Sequence, residues 1–128
     1  MRVEVYDKRF EINTTPLETI SVSSNEVTIE LDDVKENRHR IKFSPYQAIK
    51  VITIDCVSSR EYFNDYSFRN GYYQRYILNV DDSEWINALK SKLSDNMANF
   101  LNESIHYVLP LQENIIEIIA HKINIEKI

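Results

Sequence analysis

The segment EVTIELDDVKENRHRIKF, residues 26–43, decides the class of fold. Its first half alternates: Val27, Ile29 and Leu31 fall on one side of an extended chain and Glu26, Thr28 and Glu30 on the other, which is the period of a half-buried strand. RHRIKF (38–43) answers it, with His39, Ile41 and Phe43 on one face and Arg38, Arg40 and Lys42 on the opposite one. The connection DDVKEN then predicts a hairpin whose exposed faces pair acid with base. Each such pair contributes only ~0.2–1 kcal/mol, so the apolar face must supply most of the stability.

Outward from this hairpin, QAIKVITIDCV (47–57) has Ile49 and Val51 pointing one way and Ile52, Ile54 and Cys56 the other, as expected of a central strand. YQRYILNV (73–80) is a further strand, and RVEVY (2–6) and LETISV (17–22) carry less regular versions of the pattern. Ile86, Leu89, Leu93, Met97 and Phe100 recur at intervals of three and four, which predicts one amphipathic helix over about residues 83–101. Asp81 or Asp82 can cap it, and Glu84 can reach back from the first turn. SIHYVL (104–109) and NIIEIIAHKI (114–123) are two more strands joined by PLQE, where Pro110 favours a turn. The expectation is a single α+β domain over residues 1–128, a mainly antiparallel sheet with one main helix packed across it.

With 128 residues, 43% of them apolar, the chain is long enough for one hydrophobic core and short for two domains. No run approaches the roughly 18–20 apolar residues that span a bilayer, so no membrane association and a cytoplasmic location are expected. The net charge of −5 opposes phosphate-neutralising nucleic-acid binding and suits a basic protein partner. Cys56 is the one cysteine, so no internal disulfide can form, and its neighbours read as a buried strand. Gly71 is the one glycine, which excludes Gly-rich phosphate loops and the dinucleotide-binding turn. His39, His106 and His121 have no metal-motif spacing, and neither metal nor cofactor is expected. Strands joined by PLQE bring His106 and Glu117 within reach as base and orienting carboxylate. A hydrogen-bonded strand histidine is the simpler reading, and no catalytic residue is assigned.

SSREYFNDYSFRNGYYQRY (58–76) holds seven of the fourteen aromatics. Phe63 and Phe68 read as core and Asn70-Gly71 as a tight turn. Glu61, Asp65, Tyr66, Tyr72 and Tyr73 read as partner-binding residues, since tyrosine gives contact area with a polar tip and the carboxylates face basic groups. The alternative is a small regulatory or single-stranded nucleic-acid-binding protein, with Tyr62, Tyr66, Tyr72 and Tyr73 stacking on bases and Arg60, Arg69 and Arg75 on phosphates. Glu61, Asp65 and the net charge speak against it.

NVDDSEWINALKSKL (79–93) followed by SIHYVLPLQENIIEIIAHK (104–122) resembles a group of small bacterial proteins, and FSPYQAIKVITID (43–55) is compatible with it. The shared features are Ser83, Glu84 and Trp85 at a helix start, the His106–Tyr107 pair, and the close over Ile116 to Ala120. Members look like immunity proteins of polymorphic or contact-dependent growth-inhibition toxin systems. The resemblance implies a non-enzymatic inhibitor that binds the C-terminal domain of a cognate toxin. Many such toxins are basic nucleases, to which an acidic inhibitor is complementary. It assigns no contact residue, so the five named above are inferred from their chemistry alone.

Overall fold

A computed structural model describes residues 2–57, 68–69 and 72–128, with backbone only for 68–69 and 72–73. The hairpin forms as its alternation requires: β4 (Val27–Asp33) pairs antiparallel with β5 (Arg38–Phe43), setting Val27 opposite Phe43 and Ile29 opposite Ile41. On the other face Arg40 Nε donates to Glu30 at 3.0 Å and Arg38 to Asp32 at 3.2 Å. Asp33 closes the turn, accepting from the N–H groups of Lys35 and Asn37 at 2.8 and 3.0 Å, while Glu36 takes a positive φ of 65°. Partial burial pushes the Asp33 carboxyl up, but the Asn37 N–H, His39 and the Lys35 N–H together hold it below the usual carboxylate range.

Among the described residues the strands build two five-stranded antiparallel sheets and a two-stranded ribbon, not the one sheet expected. β12 (Ile123–Lys127) flanks β5, and β2 (Ile12–Asn13) and β3 (Thr19–Val22) share the far edge of β4. The second sheet runs β1–β9–β10–β11–β6, made of Arg2–Val5, Leu78–Asp81, Ile105–Pro110, Asn114–Ala120 and Tyr46–Thr53. The sheets pack face to face through Val27, Ile29, Leu31, Ile41 and Phe43 on one and Tyr107, Leu109, Ile116 and Ile118 on the other. Tyr107 is 1% exposed, with ring centroids 5.3 Å from Phe43 and 5.6 Å from Tyr6. Burial, with Tyr6 adding to it, pushes its hydroxyl up to about 12.

Three further expectations are corrected. NIIEIIAHKI is not one strand: β11 ends at Ala120 and the chain crosses to the other sheet as β12. β6 stops at Thr53 and lies at a sheet edge with Val51 half exposed, while β10 and β11 hold the centre. Apolar residues on both faces of β6 therefore reflect one face against each layer at a margin, not a central position. Cys56 lies exposed in a 3-10 turn, Ile54–Cys56.

The continuous helix is also replaced, by α1 (Glu84–Lys90) and α2 (Asp95–Phe100). The break follows from SKLSD, residues 91–95. Ser91 Oγ donates to Ala88 O at 2.7 Å, the N–H groups of Lys92 and Leu93 tighten onto Leu89 O and Lys90 O, and Ser94 stands at the N-cap of the second helix. Ile86, Leu89, Leu93 and Leu101 still pack against Ile119 and Ala48 of the sheet, but Met97 and Phe100 are more than half exposed. The helices thus form a third, partial layer on the sheet face that β4 and β5 do not cover. Among the described residues no helix is long and apolar enough to cross a membrane. β7 (Phe68–Arg69) and β8 (Tyr72–Tyr73) pair with Arg69 opposite Tyr72; the turn expected at Asn70-Gly71 between them lies outside the described residues.

Candidate functional site

Strand alternation gives β10 and β11 two different faces. Tyr107, Leu109, Ile116 and Ile118 turn inward, which leaves His106, Val108, Ile115, Glu117 and Ile119 on the helix-covered face. The register sets Val108 opposite Glu117 and Ile119 opposite His106, so His106 and Glu117 are diagonal neighbours within reach of their side chains. Their Nε2 and Oε1 atoms are 2.6 Å apart, and both residues are 3% exposed.

The row continues in both directions. Lys50, directly opposite Glu117 on β6, brings Nζ to 3.8 Å from Oε2. On the other side, Val80 pairs with His106, and the chain leaves β9 through Asp82, whose φ of 49° turns it into α1. That turn sets Ser83 above His106, with Oγ 2.7 Å from Nδ1. Ser83, rather than Asp81 or Asp82, caps the helix: its Oγ accepts from Ile86 N–H at 3.1 Å. With Glu117 ionised, His106 Nε2–H donates to it and Nδ1 accepts from the Ser83 hydroxyl, an assignment that follows from the partners. Trp85 closes the row from above, edge-on to His106 at 5.2 Å and with Lys50 Nζ 4.3 Å from its ring centroid.

A serine, a histidine and a carboxylate in line have the composition of an acyl-transfer triad. The details favour a structural role. Nδ1 faces the serine and Nε2 the carboxylate, the reverse of the serine-protease order, and the Ser83 oxygen is already engaged by the helix N–H. Ser83 is 5% exposed and is absent from the wall of the cleft above. The row ties the start of α1 to the centre of the sheet through the hydrogen bonds of Ser83 Oγ, both His106 ring nitrogens and Glu117 Oε1.

That cleft is open, about 1070 Å³ in volume, and its wall includes Trp85, Lys50, His106 and Glu117. Its rim carries Asp82 and Glu84, both exposed, and Asp81, which is ion-paired with Arg2. Cys56 and Val57 form the side where the described chain stops before residue 58. Val57 and Tyr76 pack against the same apolar group, Leu78, Val80, Val108 and Ile115, on this face. Among the described residues no three His, Cys, Asp or Glu side chains gather as a metal-holding group.

Of the expected partner-binding residues, Glu61, Asp65 and Tyr66 lie outside the described residues. Tyr72 and Tyr73 form β8, and only their backbone is described. The structure does bring His106 and Glu117 together, as the strand pairing required. It adds Ser83, Trp85 and Lys50, which sequence reasoning did not connect to them. The one available signal was Glu117 itself, an acid inside the apolar run NIIEIIA that demands a buried partner. Compared with known proteins, the chain matches no family model, no curated protein and no solved structure.

Proposed function

We propose that this protein is a cytoplasmic, non-enzymatic inhibitor of the immunity type, which binds the C-terminal domain of a cognate basic toxin, a nuclease, and occludes its active site. One observation carries the reading. Val57, just before the tyrosine-rich acidic segment, and Tyr76, at its end, both pack against the apolar group Leu78, Val80, Val108 and Ile115 on the face that holds the cleft. Exposed Asp82 and Glu84 on the cleft rim, and the tyrosine-rich acidic composition of the segment bearing Glu61, Asp65, Tyr66, Tyr72 and Tyr73, combine aromatic area with negative charge. That pairing suits a basic protein surface, for which tyrosines supply contact and carboxylates supply steering. The engagement of Ser83 by the helix and of His106 by two partners favours binding over turnover.

Co-expression with the product of the adjacent upstream gene tests it. The expected outcome is a stable complex and rescue of growth, both weakened when Glu61, Asp65, Tyr66, Tyr72 and Tyr73 are replaced together by alanine. Absence of both complex and rescue for the unaltered protein would overturn the reading.

A further inference from the structure

The Lys50 ammonium occupies a cation site of the protein's own making. It lies 4.3 Å from the centroid of the Trp85 ring and 3.8 Å from Glu117 Oε2. An aromatic face attracts a cation through its quadrupole, and the buried carboxylate adds a charge. Yet the hold is loose: 3.8 Å exceeds the 2.7–2.9 Å of a charge-assisted hydrogen bond, and the Lys50 side chain is 42% exposed on an edge strand. Among the described residues the surrounding wall is also under-neutralised. Arg2 pairs with Asp81 and Lys50 with Glu117, while Asp82 and Glu84 have no ion pair among the described residues. Asp82 has one weak tie, accepting from Asn87 Nδ2 at 3.3 Å.

We propose that the cleft is a receptor for an arginine side chain of a basic protein partner, whose guanidinium takes the place of Lys50 on Trp85 and is held by Asp82 and Glu84. Arginine fits better than lysine for two reasons. Its planar group stacks on an indole face while its edge donates to carboxylates, and it sheds water more readily than an ammonium. Lys50 then acts as a tethered competitor, which keeps the ring occupied until a partner arrives. The identity of the arginine's owner rests on the inhibitor reading above; the cation site itself rests on the geometry.

The chain carries its own reporter, since Trp85 is the one tryptophan and lies in the cleft wall. Fluorescence is followed while hexa-arginine, hexa-lysine or spermidine is added to the full chain. The expected result is a saturable change with hexa-arginine, weaker binding of the other two, and loss of binding in Asp82→Asn/Glu84→Gln. Lys50→Met keeps the stem but removes the competing charge, and should tighten hexa-arginine binding about two- to five-fold. All three substitutions are near-isosteric and should leave the circular dichroism spectrum unchanged. No saturable change in either the unaltered protein or Lys50→Met would overturn the proposal. So would binding that survives Asp82→Asn/Glu84→Gln, or equal binding of spermidine. Rescue from the toxin that persists in Asp82→Asn/Glu84→Gln would remove the cleft from the partner interface and leave the inhibitor reading intact. Hexa-arginine binding with no toxin rescue by any variant would do the opposite.

Discussion

The two faces of the β10–β11 hairpin are equally dry and are held by different physics. On the inner face Tyr107, Leu109, Ile116 and Ile118 are at most 1% exposed and pack with Val27, Ile29, Leu31, Ile41 and Phe43 of the facing sheet. On the outer face Val108, Ile115 and Ile119 are buried as completely, but His106 and Glu117 stand among them. The inner face gains from area and fit, so every lost methyl group is felt in proportion. The outer face holds only because each polar group finds a partner, so the cost of a change there depends on which atom is orphaned.

Substitutions at four positions probe that difference, in falling order of effect. Ile118→Ala opens a cavity between the sheets and should cost about 2–5 kcal/mol in urea unfolding; under about 1 kcal/mol would mean that the inner face is not closely packed. Glu117→Ala should cost about 1–3 kcal/mol, because the buried His106 Nε2–H loses its acceptor. Glu117→Gln, which keeps an acceptor oxygen, should recover part of it. Equal losses for the two would show that the hydrogen bond does not matter. Ser83→Ala removes a cap and a histidine partner for about 1 kcal/mol. Combined with Glu117→Ala it should be non-additive, since both residues act through the same ring. Met97→Ser should change stability by no more than about 0.5 kcal/mol, because the side chain is 59% exposed. A loss of about 2 kcal/mol there would restore a single helix packed on the sheet.

The same contrast explains what the sequence made legible. The 26–43 hairpin could be read residue by residue because one of its faces meets water, and alternation is visible only when the faces differ in polarity. NIIEIIA is buried on both faces, so neither its central place nor the crossing after Ala120 leaves a periodic trace. The stripe Ile86, Leu89, Leu93, Met97 and Phe100 had helical spacing, yet spacing ignores the serines between. Ser91 and Ser94 turn that stretch into the end of one helix and the start of another. In the candidate site, His106 and Glu117 followed from pairing two adjacent strands. Lys50 and Ser83 did not, because they join the row through a strand from far earlier in the chain and a turn at positive φ.

The central position of β11 has a consequence in time as well as in space. Among the described residues β6 pairs with β11 alone, so Thr53 must wait for Asn114 and Tyr46 for Ala120. At roughly 5–20 residues per second of synthesis, a separation of about 60 residues leaves β6 unpaired for roughly 3–12 s on the ribosome. β12 then follows two residues behind β11 and flanks β5. Both sheets therefore gain their last strands late and close together, one when translation passes Ala120 and the other when it passes Lys127.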